Sequence, residues 1–361
     1  MARLEDVCYI LDSKRIPVTA SDREKGPYPY YGANGVQDYV NDYIFDDELV
    51  LLAEDGGNFG SKDKPIAYRV SGKCWVNNHA HVLKAKENMD IDYLCYSLMF
   101  YNVSDLVNGA TRQKLTQADM RKIQVPLIPV LEQKEIVNKL KKVEELISCR
   151  KEQLSKLDEL VKARFVEMFG DPVESRKKKK LLEIGKIFTG NTPSMKEPLY
   201  YESDDIPFIK PGDLYEGGVT KIDSVETFVS EKARTVARIV PPNAVLVTCI
   251  GTIGKIGITE RESCCNQQIN FIVPNDAVNS IYLAHCLTFF KSTLSSIANA
   301  PVVPIINKTQ FSELEIPVFD FEQQNQFTAF VEQTDKTKAE VQKSLDELEI
   351  LKKSLMQKYF G

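Results

Sequence analysis

A long internal repeat constrains this chain more than any other feature of its sequence. The stretch Val125–Gln133 (VPLIPVLEQ) returns in similar form at Ile316–Gln323 (IPVFDFEQ), and each copy opens a long, charged helical pattern. The two patterns also end alike, with Met168-Phe169-Gly170 and with Tyr359-Phe360-Gly361. A period of about 190 residues is too long for a solenoid unit, so it indicates a duplicated domain with a helix after each copy.

The length and composition set broad limits on the class of protein. A chain of 361 residues can hold two domains, and its 43% hydrophobic and 27% charged residues are typical of a globular protein. No apolar run approaches the ~20 residues that span a bilayer, and the first residues lack a signal-peptide core. The eight cysteines include no C-x-x-C pair, which argues against a zinc ribbon. Together with the missing export signal, this argues against a disulfide framework, and we expect a cytoplasmic protein with no membrane contact.

The net charge of −5 argues against a free-standing DNA-binding domain. Such domains are usually basic, because phosphate neutralisation and counterion release supply much of their affinity. Two explanations remain open: the basic residues are concentrated on one face, or a partner subunit supplies the phosphate contacts.

The order of patterns predicts an α+β (mixed α/β) fold with two similar globular domains separated by two long helices. The first domain has strand-like runs at Glu48–Ala53 and Ile66–Val70, turns at Gly32–Gly35 and Gly56–Asn58, and a helix from Asp90 to Asn102 with Asp90 as its N-cap. The run Arg176–Lys180 precedes the second domain and is interpreted as a solvated linker. The predicted segments are 1–129 (first domain), 130–175 (helix and linker), 176–319 (second domain) and 320–361 (second helix).

Each long helix carries apolar residues at alternating spacings of four and three, which is the pattern of a coiled-coil seam. An amphipathic helix of this length cannot bury its apolar stripe alone, so we expect the two copies to pair as an antiparallel coiled coil. The predicted seam consists of Ile136, Leu140, Val143, Ile147, Leu154, Leu157 and Val161 in the first helix and Phe327, Val331, Val341, Leu345, Leu348 and Leu355 in the second. Arg150 and Arg164 interrupt the first seam; they could pair with acids on the other helix or mark places where partner subunits dock.

The two domains share an ordered set of matches. The matched pairs are Leu4-Glu5 with Leu182-Glu183, Pro29-Tyr30 with Pro207-Phe208, Val50-Leu51-Leu52 with Val245-Leu246-Val247, Asn78 with Asn266, and Tyr93-Leu94 with Tyr282-Leu283. The hydrophobic frame is thus shared, while the residues between the matches differ. This is the pattern of one scaffold with two different sets of loops.

The order of motifs along the whole chain resembles the specificity subunit of type I restriction–modification enzymes. The motifs that carry the resemblance are Pro29–Gly35 (PYYGANG), Glu54–Asn58 (EDGGN), Phe188–Ser194 (FTGNTPS), Ile209–Leu214 (IKPGDL), Gly251–Gly257 (GTIGKIG) and the two helix-entry and Phe-Gly signatures. The resemblance implies that each domain reads one half of a split, asymmetric site in double-stranded DNA, with helix length fixing the gap. It also implies two methyltransferase (M) subunits, which bind S-adenosylmethionine and methylate adenine. It leaves open whether motor-nuclease (R) subunits join them, and it implies a chain with no catalysis or cofactor of its own.

The lack of matching catalytic motifs leads independently to the expectation of a chain without catalysis of its own. Pro241-Pro242 is preceded by Val240 and followed by Asn243, so it does not form an Asn/Asp-Pro-Pro-aromatic methylation motif. The segment Gly251–Lys255 has the wrong spacing for a phosphate-binding loop. Among only three histidines, His79 and His81 could form a pair of metal ligands, but alternating strand residues are the favoured interpretation and no metal site is expected.

Asn and Gln can pair with adenine, and Arg and Lys with guanine, so loops rich in these residues are candidates for reading DNA. The predicted DNA-binding residues are Tyr31, Asn34, Asn58, Arg112, Gln113, Lys114, Asn191, Thr192, Lys210, Thr252, Lys255, Gln267, Gln268, Asn307 and Lys308. Turn geometry and solvated loops are the competing interpretations, and Tyr30 is favoured as a buried ring. A scaffolding coiled-coil protein with duplicated ligand-binding domains is the alternative function, and an enzyme is the third.

Overall fold

The computed structural model describes residues 1–61, 63–109, 113–223, 225–298 and 303–361. The chain divides into two compact units. Unit 1 contains residues 1–150 and 344–361, and unit 2 contains residues 151–343. Each unit therefore combines one globular domain with one part of each long helix. The four predicted segment boundaries are not tested by this division and stay a prediction.

Unit 1 is built on a six-stranded sheet with two small two-stranded sheets. Its described strands are β1 (Ala2–Arg3), β2 (Cys8–Ile10), β3 (Lys25–Gly32), β4 (Gly35–Val40), β5 (Phe45–Ala53), β6 (Ala67–Val76), β7 (Ala80–Ala85), β8 (Val107–Asn108), β9 (Lys114–Leu115) and β10 (Gln124–Val125). Its short helices are α1 (Leu4–Val7), α2 (Ile91–Met99) and α3 (Gln117–Met120), and the long helix α4 spans Val130–Phe169.

The order of strands in the large sheet is β2-β7-β5-β6-β3-β4. The central strands pair antiparallel, with Leu51 opposite both Tyr68 and Val82. Strand β3 instead runs parallel to the end of β6, with Tyr30 opposite Trp75. The central strand β5 is buried on both faces from Leu49 to Ala53, because a helix layer covers one face and the curled sheet encloses the other.

Unit 2 has a five-stranded sheet, a four-stranded sheet and a two-stranded sheet. Its described strands are β11 (Lys178–Lys180), β12 (Gly185–Thr189), β13 (Ile206–Ile209), β14 (Val219–Ile222), β15 (Phe228–Val229), β16 (Ile239–Val240), β17 (Val245–Thr248), β18 (Ile256–Thr259), β19 (Ser263–Cys265), β20 (Ile269–Pro274) and β21 (Glu315–Pro317). Its helices are α5 (Leu181–Ile184), α6 (Ser280–Thr288), α7 (Lys291–Ile297) and α8 (Lys308–Ser312), and the second long helix α9 spans Phe321–Phe360. The sheet orders are β12-β20-β17-β18-β14 and β15-β13-β19-β16.

The same backbone scaffold appears in both units. In unit 1, the amide of Glu54 donates to the carbonyl of His79, and in unit 2 the amide of Cys249 donates to the carbonyl of Gln268. The parallel pair β3–β6 has its counterpart in β13–β19, where Phe208 lies opposite Cys264. Among the described residues, the duplication inferred from the sequence is therefore a duplication of fold.

Two of the matched pairs are wrong by one residue. The amide of Asn77 donates to Tyr31 as the amide of Asn266 donates to Ile209, so the counterpart of Asn266 is Asn77 and not Asn78. Likewise Leu4 and Leu181 make the same bond, to Ile123 and Leu314 respectively, so Leu4 corresponds to Leu181 and not to Leu182. The sequence places two asparagines and two leucines side by side, and only the backbone bonds decide between neighbours.

A glutamine at the start of each long helix attaches that helix to its domain. Gln133 accepts from the amide of Asp90 (2.7 Å) and donates to the carbonyls of Asn88 and Ile128. Gln324 makes the same three bonds, to Asn279, Ala277 and Phe319. Both glutamines are completely buried. The aligned repeat had placed Gln323 opposite Gln133, and these bonds show that Gln324 holds the equivalent position.

The helices α2 and α6 also begin in the same way. Asp90 accepts from the amides of Asp92 and Tyr93, and Asn279 accepts from the amides of Ile281 and Tyr282, which are bonds of an N-cap. The predicted N-cap Asp90 is therefore confirmed. The predicted end of α2 at Asn102 is wrong, because the helix ends at Met99 and the amide of Tyr101 donates to Leu98 in a tighter turn.

The predicted linker Arg176–Lys180 is partly a strand. Its last three residues form β11, which pairs antiparallel with β21 in unit 2. Lys178 donates to the carbonyl of Val173, and Lys180 forms an ion pair with Glu313. The lysines keep their charged ends near water or acids while their backbone pairs, a combination that composition alone does not reveal.

The long helices pair antiparallel inside each unit. In unit 1, Lys352 of α9 lies 2.8 Å from Glu144 of α4, and Arg150 donates to the hydroxyl of Ser344. In unit 2, Lys338 of α9 lies 2.6 Å from Asp158 of α4. Arg164 pairs with Glu167 on its own helix, and its alternative role in docking partner subunits stays a prediction.

All thirteen predicted seam residues are buried or half-buried. The buried ones are Ile136, Leu140, Val143, Val161, Phe327, Val331, Val341 and Leu345, and the half-buried ones are Ile147, Leu154, Leu157, Leu348 and Leu355. The deepest burial occurs where a helix also packs on a domain. There, Val137 in unit 1 and Phe165 in unit 2 add to the seam.

The Phe-Gly signature that ends each helix packs on a short helix of the same unit. Phe169 contacts Tyr282 of α6, with ring centroids 5.1 Å apart, and Phe360 contacts Tyr93 of α2, with centroids 5.0 Å apart. The residue after Phe169, Gly170, has a positive φ of 72°, which suits the residue that follows a helix. The mixed α/β fold class, with two similar domains and paired long helices, is confirmed. None of the helices in the described parts of the chain has both the length and the apolar character that crossing a membrane demands.

Candidate nucleic-acid interface

In unit 2, several predicted DNA-binding residues meet at one end of the five-stranded sheet. Strands β12 and β17 end there and β18 and β20 begin there, as the antiparallel registers require. Gly190 allows this convergence, because a Cβ atom at that position would lie 2.3 Å from the carbonyl oxygen of Asn266. The sequence signals Gly190-Asn191-Thr192 and Asn266-Gln267-Gln268 therefore belong to one surface.

Thr192 and Gln267 are exposed and bonded to each other, since the hydroxyl of Thr192 donates to Gln267 Oε1 at 2.6 Å. Gln268 is half-buried and accepts from the side chain of Asn266 (2.9 Å). Such a mutual arrangement fixes amide orientations in advance, which favours selective pairing with a base edge.

Asn191 brings in an arginine that the sequence analysis did not single out. Its Oδ1 accepts from the amide of Arg238 (2.6 Å), and its Nδ2 donates to the carbonyl of Val236 (2.7 Å). Arg238 is exposed and donates to the carbonyl of Thr189 (2.9 Å). It lies beside the other candidates because the loop before β16 folds back onto β12. No local motif announces this, so only the fold brings Arg238 into the set.

The two predicted phosphate contacts in unit 2 have protein partners. Lys210 donates to the hydroxyl of Thr227 (2.9 Å), and Lys255 donates to the carbonyl of Pro211 (3.0 Å). Each ammonium group has three donors, so these bonds leave capacity for a phosphate. Thr252 is exposed beside Gly251, whose φ of 76° makes the tight turn after β17.

Asn307 is used for helix capping. Its Oδ1 accepts from the backbone amide of Gln310, and its own backbone amide donates to Gln310 Oε1. Thr116 caps α3 in unit 1 in the equivalent place. Lys308 is exposed, and its ammonium lies 5.8 Å from the ring centre of Phe188. The cap gives Asn307 a structural role, so a DNA contact by its side chain stays a prediction with a competing explanation.

In unit 1, the turn between β3 and β4 lies against the loop that follows β5. Asn34 is exposed and donates to the carbonyl of Gly56 (2.9 Å). Asn58 is half-buried and donates to Pro65 (3.3 Å). Tyr31 is half-buried against Tyr68, with ring centroids 5.9 Å apart, whereas Tyr30 is 1% exposed, as favoured from the sequence.

The loop before β9 carries the remaining candidates. Gln113 and Lys114 are both exposed, and Arg112 lies outside the residues that the structure describes. The ammonium of Lys114 lies 3.0 Å from Glu54 Oε1, so this loop is tied to the end of β5. Lys114 and Asp55 also form a backbone bridge.

Next to Lys114 lies a group of titratable residues that we name the Asp12 network: the buried Asp12, Glu54 and His81 and the half-buried Arg15. His81 Nδ1 lies 2.6 Å from Asp12 Oδ2, and Arg15 Nη1 lies 2.6 Å from Glu54 Oε2. Burial alone would raise the pKa of Asp12, but its hydrogen bond to His81 and the nearby charges hold that pKa below its usual value. Burial likewise opposes a lowered pKa at Glu54, and hydrogen bonds from Arg15 and Lys114 overcome it.

Ligand atoms of Asp12, Glu54 and His81 lie within 4.8 Å of one another, a spacing that a metal ion could bridge. Two cations already face these acids, however, since Arg15 contacts both carboxylates and Lys114 contacts Glu54. His79, the other half of the sequence pair, faces Asp55 instead (2.6 Å). The residues present therefore fit an ion-pair network better than a metal site.

Comparison with known proteins decides the family. The family model described as "Type I restriction modification DNA specificity domain" matches twice, over residues 1–159 and 173–350. The chain belongs to this family.

Individual relatives extend the match over most of the chain. A putative type I restriction enzyme specificity subunit of Haemophilus influenzae is 29% identical over 339 residues, which cover 91% of this chain and 86% of the relative. A type I restriction enzyme specificity subunit of Methanocaldococcus jannaschii is 23% identical over 395 residues, covering 99% and 90%.

Two solved structures show the same fold. The S subunit of a type I restriction–modification system from M. genitalium has a TM-score of 0.60 at 14% identity, covering 100% of this chain and 95% of that chain. A structure from work on assembly and conformational transition of the type I system also has a TM-score of 0.60, at 17% identity, covering 99% and 96%.

Proposed function

We propose that this chain reads a split, asymmetric DNA sequence and directs adenine methylation by partner subunits at that site. The observation that carries the proposal is the duplicated scaffold. The same backbone hydrogen bonds recur in both units, while the residues at the ends of the sheets differ. Two versions of one reading surface suit a target with two unlike halves.

The chemistry of the candidate residues supports direct reading of bases. Unit 2 presents Thr192, Gln267 and Arg238, and unit 1 presents Asn34, Gln113 and Lys114. These side chains supply the donors and acceptors that distinguish base pairs in the major groove. The half-site that each unit reads is therefore expected to depend on these few residues.

The acidic balance of the chain supports a division of labour with partners. A net charge of −5 provides little of the phosphate neutralisation on which DNA affinity depends. We propose that two methyltransferase subunits supply most of the phosphate contacts, the S-adenosylmethionine and the catalysis, and that this chain supplies the choice of sequence. Motor-nuclease subunits would add restriction, and we propose that the chain works in the cytoplasm with its DNA.

A selection experiment tests the proposal. The chain is purified with a methyltransferase subunit and allowed to select duplexes from a randomised library at near-physiological salt. We expect two enriched blocks separated by a constant gap. A substitution in unit 2, Gln267→Ala, should alter one block only, and Gln113→Ala in unit 1 should alter the other.

The matched control is Gln357→Ala, at an exposed position near the end of α9. It should leave both blocks unchanged. Recovery of unselected sequences from a complex that binds S-adenosylmethionine would contradict the proposal and favour a scaffolding role.

A further inference from the structure

Two hydrogen bonds fix the ring of His81 in the Asp12 network. His81 Nδ1 faces the carboxylate of Asp12 at 2.6 Å, and His81 Nε2 faces the backbone carbonyl of Leu115 at 2.8 Å. A carbonyl oxygen can only accept, so Nε2 carries a proton. Asp12 also accepts from the amide of Val82 and from the side chain of Gln117. Both ring nitrogens of His81 therefore have a partner, and the ring is held in one orientation between Asp12 and β9.

Two residues of the Asp12 network contact β9, the strand that carries Lys114. His81 is completely buried, while Asp12 and Glu54 are 7% and 8% exposed. The His81 ring holds the backbone of β9 through Leu115, and Glu54 holds the ammonium of Lys114 on the same strand. Arg15 contacts the carboxylates of both Asp12 and Glu54. Removing one partner from a buried, paired network of this kind is costly, so its members hold one another in place.

Unit 2 shows that the scaffold itself does not need these charges. The positions of Glu54, His81 and Lys114 are defined by backbone bonds that recur in unit 2. Their counterparts there are the uncharged residues Cys249, Asn270 and Ile305. Asn270 accepts a hydrogen bond from Thr189 at 2.7 Å and forms no ion pair. The charged network is thus a property of the first domain, and the same fold forms without it.

We propose, on the basis of the proposed function, that Glu54 and His81 are positioning residues that aim Lys114 at a guanine in the first half-site. A lysine ammonium is ordinarily a flexible point charge, equally able to contact any phosphate. Glu54 takes one of its three donors and offsets its charge, which weakens attraction to phosphate. Glu54 thereby fixes the position of the ammonium, and its other two N–H donors suit the O6 and N7 acceptors of guanine.

Base-by-base binding measurements test this proposal. The complex of this chain with its methyltransferase subunit is titrated with duplexes that carry each base pair in turn at every position of the first block. Lys114→Met should lose discrimination for guanine at one position by about tenfold. Glu54→Gln should lose part of the same discrimination at the same position. The second block should not change with either variant.

A double variant separates positioning from general damage. If Glu54 acts through Lys114, then Glu54→Gln should have no further effect on base choice in a chain that already carries Lys114→Met. Lys122→Met is the matched control, because Lys122 is an exposed lysine of the same unit that pairs with Asp119. It should leave base choice unchanged.

A variant with residues from the matching positions of unit 2 is a control for misfolding of the test variants. The triple substitution Glu54→Cys, His81→Asn and Lys114→Ile introduces the residues of the matching positions in unit 2 and leaves Asp12 paired with Arg15. It should fold, bind the second half-site normally and lose the guanine preference. Nitrogen-15 NMR of the imidazole rings in the unsubstituted complex should show a His81 signal that added zinc ions or a chelator leave unchanged.

Four results would overturn the proposal. Unchanged base choice in Lys114→Met or in the triple variant would remove the role of Lys114. Uniform weakening over all sequences with a smaller salt dependence would make Lys114 a phosphate contact. Additive effects in the double variant would remove the positioning role of Glu54, and a zinc-dependent His81 signal would make the network a metal site. The proposed function fails separately, if the unsubstituted complex selects no two-block sequence at all.

Discussion

A single buried amide attaches each long helix to its domain. Gln133 and Gln324 each satisfy one backbone donor and two backbone acceptors in the loops that precede the helix and the capped helix α2 or α6. No charged residue could do the same, since a carboxylate only accepts and an ammonium only donates. The amide therefore explains why the helix-entry motif contains glutamine.

Replacing Gln133 by alanine should destabilise unit 1. The substitution removes the partner of three partly buried backbone groups, which we expect to cost about 3 kcal/mol. Thermal unfolding followed by circular dichroism measures the effect. Glu132→Ala, one residue away and exposed, is the control and should shift the transition little. Equal shifts for the two variants would contradict this role of Gln133.

Asp12 should make the free energy of unfolding of unit 1 depend on pH in the acid range. Although burial opposes it, the hydrogen bond to His81 and the surrounding charges lower the pKa of Asp12 in the folded state. A lowered pKa gives stability that is present above the unfolded-state value and is lost as the pH falls through the folded-state value. Asp12→Asn should therefore be less stable than the unsubstituted chain near neutral pH, and this difference should shrink below about pH 4.

The measurement is a series of thermal unfolding curves between neutral pH and the acid limit. Asp6→Asn, at an exposed position of the same unit, is the control and should give no comparable difference. A difference for Asp12→Asn that stays constant down to the lowest pH would show that the charge of Asp12 is not the source of its effect.

At the scale of single residues, the sequence predicted the local role of a residue better than the distant residues that it contacts. The turn residue Asn34 and the cap Asp90 follow from local rules, and both occupy the expected local structures. Arg238, Arg15 and Glu54 gain their places from contacts across the fold, which join Arg15 to Glu54 over 39 positions and Asn191 to Arg238 over 47 positions. Long-range contacts of this kind leave no local pattern to read.

At the scale of elements, an aromatic cluster fastens the end of α4 in unit 2. Phe165 is completely buried, and its ring centre lies 4.9 Å from Phe169, 5.5 Å from Tyr282, 5.1 Å from Phe289 and 5.2 Å from Phe327. One side chain thus joins both long helices of this unit to α6. Each of these ring contacts stabilises the fold only weakly, but together their contribution is large.

Phe165→Ala should destabilise unit 2 strongly. Removing a buried ring leaves a cavity, and the expected cost is about 3–5 kcal/mol. Hydrogen exchange measured by mass spectrometry should show faster exchange in α6 and in the part of α4 after residue 150. Val166→Ala, at the next and 43% exposed position, is the control and should change neither. Unchanged exchange in Phe165→Ala would contradict the role of the cluster.

Periodicity predicted the long helices well because a forty-residue amphipathic pattern gives a strong signal. The short elements were harder to predict. The lysines of β11 have low strand propensity, and this strand forms only because β21 offers it a partner. The seam residues followed from spacing, whereas Phe165 was missed because the packing of a helix on a domain adds positions outside the heptad pattern.

At the scale of the whole molecule, helix length should determine the spacing of the target if the proposed function is right. Seven inserted residues lengthen a helix by about 10 Å, which corresponds to about three base pairs of DNA. We therefore expect that one heptad inserted in each helix, after Arg150 in α4 and before Ser344 in α9, lengthens the gap by about that amount. The two half-sites should stay the same.

Library selection with the lengthened complex measures the gap directly. Replacing seven exposed residues in the same helices without changing their length is the control, and it should leave the gap as it was. A gap that is unchanged after insertion, in a complex that still selects both half-sites, would contradict the ruler model.

The most direct test of the central claim is a genome-wide map of adenine methylation. Cells that express this chain with its methyltransferase subunit are compared with cells that express the methyltransferase alone. We expect a split, asymmetric motif that is methylated only when the chain is present. Absence of such a motif, although the two proteins purify together as a complex that binds S-adenosylmethionine, would contradict the account.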